Sequence, residues 1–242
     1  MRTCYMCSQR ATTKEHFPLK ALFPKRQGLQ LWTVPSCSEH NNSRARDDQY
    51  FLAQVLMNMS REGNTARDRF MESIAPQFKK SPKFRDMLAS DSKDLGSGRR
   101  AYPVNVARMF NVMDGICHAL IYRKYKNKLS TEEFSIWHEF YNFTSNDTKL
   151  DLHRADWLRV FEDISAENSW ASSGEVADRT TEEIYSYKVF APLDLQASVT
   201  IEHCFYGGFK VISLLTHRQV SESIKGMMHH NAEFGKVNVK SQ

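Results

Sequence analysis

The sequence predicts an α+β protein: a small ββα unit at the N-terminus, a mainly α-helical region after it, and a small C-terminal antiparallel sheet. Three observations predict it. Two equally spaced pairs, Cys4-x-x-Cys7 and Cys37-x-x-His40, bracket a β-prone stretch and end on a helix start. Apolar residues then recur at helical spacing through the middle of the chain. Near the end, Val199, Ile201, His203 and Phe205 fall on alternate positions, the period of a strand.

At 242 residues the chain fits one large domain, or a small module joined to a larger one. The expected division is 1–63 and 64–242. An apolar fraction of 41% sustains a core, and no apolar run approaches the length of a membrane span. Arg2 and Cys4 stand where an apolar targeting region would have to begin, so the chain is expected in the cytosol. Disulfides are rare there. An odd cysteine count, five, also argues against a disulfide framework, which leaves metal binding or a redox pair for Cys4-x-x-Cys7.

The elements follow in order. Thr12–Phe17 and Leu29–Val34 read as a hairpin, with 25–28 in its loop. Pro35 ends the second strand, and Ser36-x-x-Glu39 has the spacing of a capping box for a helix starting near Cys37. Leu52, Val55, Leu56 and Met59 form its buried stripe, and Gly63 its end. Residues 66–89 read as helical but broken at Pro76 and Pro82, and 90–103 as a linker or loop. A strong helix spans about 104–125, with Val106, Phe110, Met113, Cys117 and Leu120 on one side. Further helices are expected at 130–143 and 153–165. Strands are expected at Tyr185–Phe190, Val199–Phe205 and Phe209–Leu215, with Gly207-Gly208 as the last turn.

Tetrahedral zinc takes four Cys or His ligands, and x-x spacing lets one tight turn supply two of them. Cys4, Cys7, Cys37 and His40 make such a set within forty residues. A redox pair would want a βαβ context and leaves Cys37 and His40 without a role. The expected zinc is closed and structural, pinning the hairpin to the first helical turn. A segment this short buries too little apolar area to fold alone, so the metal supplies the missing stability.

Read jointly, Cys4-x-x-Cys7, Glu15-His16-Phe17-Pro18 and Val34-Pro35-x-Cys37-x-x-His40-Asn41 resemble a zinc-stapled HNH endonuclease of the ββα-metal (His-Me finger) class. The resemblance covers residues 4 to about 48, roughly a fifth of the chain. It implies that the N-terminal unit is a ββα-metal finger and the chain a phosphodiester hydrolase acting on DNA. His16 is then the general base that takes a proton from the attacking water, a task suited to an imidazole near neutral pH. Glu15 and Asn41 hold one catalytic divalent ion, Mg²⁺ or Mn²⁺, whose hard character suits oxygen ligands. The resemblance also implies 5′-phosphate and 3′-hydroxyl products and a setting in bacterial or phage defence. The chain departs from the family pattern in three places. Glu15 stands where many members carry Asp or His, His40 where the fourth zinc ligand is often Cys, and the middle Asn of the signature has no counterpart. Asn42 is the rival of Asn41 for the metal position.

Charge is uneven. Residues 1–128 carry 23 Lys and Arg against 11 Asp and Glu, whereas 129–242 carry 10 against 17. A basic first half suits a polyanion, DNA or RNA. Arg44, one turn from Asn41, is expected to contact a phosphate, and Lys20, Lys25 and Arg26 to track the nucleic-acid backbone. Lys79, Lys80, Lys83, Arg85, Arg99 and Arg100 extend the basic stretch. Asp48, two turns from Asn41, either braces the site or adds a carboxylate. Cys117, His118, His203 and Cys204 read as packed residues, Trp137, Trp157 and Trp170 as helical core, and His229-His230 as unrelated to metal. Tyr185, Tyr187, Phe205, Tyr206 and Phe209 read as sheet core or as a base-stacking platform. Residues 64–242 would position substrate, form a homodimer or bind a regulatory partner. The competing reading is a non-catalytic, zinc-dependent nucleic-acid-binding module; a third is a protein-interaction adaptor.

Overall fold

The computed structural model describes residues 2–24, 29–59, 64–96, 99–144, 147–165, 171–172, 183–190, 198–218 and 237–240. Lys25, Arg26, Trp170, His229 and His230 lie outside them.

The chain opens with strands β1 (Thr13–His16) and β2 (Thr33–Ser36), paired antiparallel with Glu15 opposite Val34 and His16 opposite Thr33. Helices α1 (Ser38–Asn42) and α2 (Ala45–Met59) follow. The single helix expected here is interrupted at Ser43-Arg44, and the capping box does not form. Cys37 takes the N-cap position, while the Ser36 hydroxyl donates to Glu15 instead. α2 buries far more than one stripe: Tyr50 to Leu56 are all buried, because the helix is enclosed on every side.

Helices α3 (Thr65–Ser73), α4 (Ala75–Lys80) and α5 (Pro82–Ala89) break where Pro76 and Pro82 stand in first turns, the one helical place that tolerates a missing N–H. The stretch expected as a linker is a hairpin, β3 (Lys93–Gly96) with β4 (Arg99–Val104). Its glycine-rich composition belongs to the connection, and Gly96 adopts φ +79°, where a side chain is disfavoured. Helix α6 (Val106–Tyr125) is capped by the Asn105 side chain and ended by Lys126 in the left-handed region.

The helix expected at 130–143 is a strand, β5 (Phe134–Phe140), aligned with the last long strand over seven residues. Its aromatic and β-branched residues suit a pleated surface, and pairing with a distant strand decides between the two readings. Trp137 accordingly sits on this strand, its ring edge-on to Phe110 of α6. After β6 (Phe143–Thr144), helix α7 (Thr148–Ser165) starts a turn earlier than expected and carries Trp157. Strands β7 (Ala171–Ser172), β8 (Tyr185–Phe190), β9 (Val199–Phe205) and β10 (Phe209–His217) complete a five-stranded sheet in the order β5-β10-β9-β8-β7. Tyr206 and Gly207, at φ +50° and +70°, make the turn between β9 and β10. β11 (Val237–Lys240) joins a second sheet, β3-β4-β11-β6.

One hydrophobic core runs through all of this, from Cys4, Tyr5 and Val34 through α2 and α6 to Phe205, Phe209 and Leu215. α6 touches the N-terminal unit along its length. Arg108 and Asn111 donate to the Asp47 carboxylate at 2.6 and 2.7 Å, and Arg123 lies over the Trp32 ring. Beyond the helix, Lys128 Nζ donates to the Cys7 carbonyl at 2.6 Å. Among the described residues no helix is long and apolar enough to cross a membrane.

Candidate metal centre

The first knuckle is built by backbone hydrogen bonds. A bridge between Thr3 and Arg10 closes the loop, the Cys4 N–H donates to the Gln9 carbonyl at 2.8 Å, and the Tyr5 N–H donates to the Pro35 carbonyl at 2.8 Å. The last contact fastens the knuckle to β2. The second knuckle is the start of α1, where Cys37 and His40 lie one turn apart.

The ligand atoms of Cys4, Cys7, Cys37 and His40 all lie within 4.8 Å of one another. Cys7 Sγ is 3.9 Å from Cys37 Sγ. The His40 Nδ1 is 3.6 Å from Cys4 Sγ, 3.6 Å from Cys7 Sγ and 3.1 Å from Cys37 Sγ. With Zn–S bonds of about 2.3 Å, a tetrahedron puts neighbouring sulfurs about 3.8 Å apart, with S–N edges slightly shorter. The cluster therefore has the size, donor set and fourfold closure of a structural zinc site. Burial pushes the Cys4 thiol up, but backbone N–H groups of Met6, Cys37 and Cys7 outweigh it, and the thiol lies below its ordinary value. That favours the thiolate a metal needs at Cys4, whereas burial, first among the causes, raises the Cys7 thiol.

Glu15 and His16 are consecutive on β1 and so point to opposite faces. Glu15 turns inward. Its Oε2 accepts from the Tyr5 hydroxyl at 2.9 Å and from Ser36 at 3.3 Å, and its Oε1 pairs with Arg44. Burial raises the Glu15 carboxyl, opposed by Arg44 first and then by Tyr5 and Ser36. His16 is half-buried; burial and nearby Lys20 lower its pKa, favouring the neutral imidazole. Asn41 is half-buried and Asn42 exposed.

Arg44, expected to face a phosphate, is 5% exposed. Its Nη2 donates to the Tyr5 hydroxyl at 2.5 Å and pairs with Glu15, while its Nε donates to the His40 carbonyl at 3.4 Å. In this arrangement the guanidinium reaches no solvent-side phosphate. Lys20 is exposed on the turn Lys20–Leu22, as are Arg46, Lys79, Lys80, Lys83, Arg85 and Arg100 on later elements. Asp48 sits beside Arg44; burial lifts its carboxyl to about 7.

Among the described residues this is the only group of three or more His, Cys, Asp or Glu with converging ligand atoms. Elsewhere, Asp114 Oδ1 lies 3.0 Å from His138 Nε2, whose Nδ1 is 2.8 Å from Ser213 Oγ. Ser213 is in turn 3.0 Å from His203, which is hydrogen-bonded to Tyr185. The Asp-His-Ser order invites a nucleophile reading, but Ser213 and His203 are 0% exposed, so the chain is a satisfied core network. His118 is likewise buried, its pKa pushed down to about 4 by burial. Tyr185, Phe205 and Phe209 are fully buried and Tyr187 nearly so; they are sheet core and offer no stacking platform.

Sequence reasoning missed the Tyr5–Glu15–Arg44–Ser36 cluster. One signal was present: Gly115 interrupts an otherwise good helix, at a cost of about 1 kcal/mol relative to Ala. The Arg44 guanidinium fills that gap, and a Cβ on Gly115 would lie 1.3 Å from its Nη1. Compared with family models, with curated proteins and with solved structures, the chain matches none. The class that the geometry itself defines is a mixed α and β protein whose Cys₃His cluster can hold a metal ion such as zinc.

Proposed function

We propose that the chain is a metal-dependent HNH-type endonuclease hydrolysing phosphodiester bonds of DNA, with Cys4, Cys7, Cys37 and His40 holding its structural zinc. The observation that carries the reading is a juxtaposition on one ββα unit. A zinc-shaped cluster fixes α1 against β1 and β2, with Glu15 and His16 at the end of β1 and Asn41 directly after the last ligand. His16, half-buried and favouring its neutral form, accepts the proton of the attacking water. Glu15 and Asn41 hold a divalent ion, Mg²⁺ or Mn²⁺. Both side chains offer oxygen, the donor a hard ion takes; to bind it, Glu15 would share a carboxylate that Tyr5, Ser36 and Arg44 already engage. Such an ion would neutralise charge developing on the phosphate. Exposed Lys20 contributes to holding the nucleic-acid backbone. Defence against foreign DNA is the setting such an activity suits.

The test is nicking of supercoiled plasmid by the wild type and His16→Ala, with Mg²⁺, Mn²⁺ or chelator, and zinc content measured on both. Cleavage by the wild type alone, at equal zinc, supports the reading; equal rates from both proteins overturn it. One observation favours the second reading, a non-catalytic zinc-dependent nucleic-acid-binding module: the Glu15 carboxylate is already paired with a guanidinium. DNA or RNA binding without turnover in any metal supports that module.

A further inference from the structure

Two segments of the sequence, 1–14 and 115–131, carry no Asp or Glu, and the fold brings them together. Lys128 follows Lys126, the left-handed residue that ends α6. Its Nζ donates to the Thr3 hydroxyl at 2.7 Å and to the Cys7 carbonyl at 2.6 Å. Thr3 is preceded by Arg2 and bridged to Arg10 across the first knuckle. On the last turn of α6, Arg123 lies over the ring of Trp32. Trp32 precedes Thr33, the cross-strand partner of His16. A basic strip thus runs from the first knuckle, along the end of α6, to the strand end that bears His16. Arg2, Arg10, Lys124 and Lys126 are exposed on it, and among the described residues none of the four has a carboxylate partner. One exposed carboxylate borders the knuckle, Glu39, whose Oε2 accepts from Gln9 Nε2 at 3.2 Å.

Helix polarity accounts for part of this arrangement. Arg123 and Lys124, in the last turn, complement the negative end of α6. Lys126 lies past that end, and Arg2 and Arg10 come from the N-terminal unit. Exposed like charges gathered without a countercharge repel one another, a cost that a bound polyanion removes. Trp32 already carries Arg123 on its ring and packs against Phe17 and Tyr187, so the strip offers phosphate contacts rather than base stacking. That favours a duplex over a single strand. We propose that Arg2, Arg10, Lys124 and Lys126 form a docking strip for the phosphate backbone of duplex DNA, with Lys128 and Arg123 as the joints that fix α6 to the N-terminal unit. The inference rests on the nucleic-acid partner shared by both functional readings and goes beyond them in assigning its seat. A second basic group, Lys79, Lys80, Lys83 and Arg85, lies on α4 and α5, where Met87 touches Arg108 near the start of α6. About 26 Å of helix, at 1.5 Å per residue, separates Arg108 from Tyr125.

The experiment is a fluorescence-anisotropy titration of two short duplexes of unrelated sequence, and of a matching single strand, with the zinc-loaded 242-residue chain over a range of salt. The proteins are the wild type, a strip variant (Arg2→Gln, Arg10→Gln, Lys124→Gln, Lys126→Asn) and a control variant (Lys79→Gln, Lys80→Gln, Lys83→Gln, Arg85→Gln). Each variant loses four positive charges. Lys126 is replaced by Asn because Asn tolerates left-handed backbone. Zinc content and melting temperature are measured on each protein, and plasmid nicking is run in parallel. Each lost phosphate contact lowers the slope of log affinity against log salt by about 0.9. The strip variant should therefore show a slope shallower by about 3 to 4 and the same weakening on both duplexes, at unchanged zinc and a melting temperature no lower than the wild type's. The control variant should keep most of the affinity. If the strip variant does not fold, Arg10→Gln with Lys124→Gln carries the comparison, with a slope change of about 2. Wild-type affinity in the strip variant, or a loss in the control variant as large as in the strip variant, overturns the strip. Tighter binding of the single strand than of the duplex overturns the duplex as its occupant. A wild type that binds no nucleic acid at low salt removes the strip and both functional readings. A wild type that binds duplex through the strip but never nicks it leaves the strip standing and removes the nuclease reading.

Discussion

The Cys4/Cys7/Cys37/His40 cluster and the Tyr5/Glu15/Arg44 cluster share the same two strands and the same helix start, yet they are completed in different ways. The first draws all four ligand atoms from residues 4–40 and closes on itself. The second is completed by Gly115, from a helix far along the chain. Soft donors around a metal need only local turns to converge. A buried carboxylate needs a countercharge, and the countercharge needs space that only a neighbouring element can leave open. The N-terminal unit thus supplies every ligand atom of its candidate metal cluster, with Lys128 bracing the first knuckle from outside, and depends on the rest of the molecule at its carboxylate.

Perturbing each cluster sharpens that contrast. The largest effect is expected from the metal. Structural zinc contributes apparent binding energies of about 10–16 kcal/mol in small zinc domains, so Cys37→Ser or strong chelation should lose the metal and unfold the N-terminal unit. Hydrogen exchange should show protection lost in β1, β2 and α1 first; unchanged protection after metal removal would contradict the assignment. Next comes Glu15→Ala, which removes the carboxylate that Arg44 pairs with and leaves only Asp48 near its buried charge. Breaking such a pair costs about 3–5 kcal/mol, readable as a lower urea midpoint, with zinc still bound.

Asp48 gives a smaller, pH-dependent effect. Its folded pKa of about 7 lies above the ordinary value of 3.8, so the folded state binds more protons between those limits. This group's contribution to stability is therefore greatest below about pH 4 and is lost as pH rises through 7. Asp48→Asn should raise stability at pH 8 by on the order of 1 kcal/mol or more and change little at pH 4. A gain equal at both pH values would show that the carboxyl is not what matters. The smallest effect is expected from Ser36→Ala, which deletes one 3.3 Å bond to Glu15. A single net hydrogen bond contributes about 0.5–1.5 kcal/mol, and a thermal shift larger than that of Glu15→Ala would reverse the proposed hierarchy.

How much of this was legible follows the same division. The four Cys and His of the candidate metal cluster were legible because x-x spacing is a local geometric requirement. The strands expected at Tyr185–Phe190, Val199–Phe205 and Phe209–Leu215 were legible from alternation; the last runs on to His217, and its turn carries positive φ at Tyr206 and Gly207 rather than at Gly207-Gly208. β5 was not, since Phe134–Phe140 has a composition that periodicity alone assigns to neither class, and its pairing with β10 spans most of the C-terminal half. The hairpin β3–β4 was hidden behind glycine and charge. Arg44 was misplaced for a related reason. On the sequence it follows Asn41 by one exposed-looking turn, and nothing within the first 48 residues shows that Gly115 opens a seat for it.

The most direct measurement is zinc-edge X-ray absorption on the purified 242-residue chain. One tightly bound zinc is expected, with three sulfur ligands at about 2.3 Å and one nitrogen at about 2.0 Å. A metal-free protein, or one in which Cys4 and Cys7 are oxidised to each other, would contradict it.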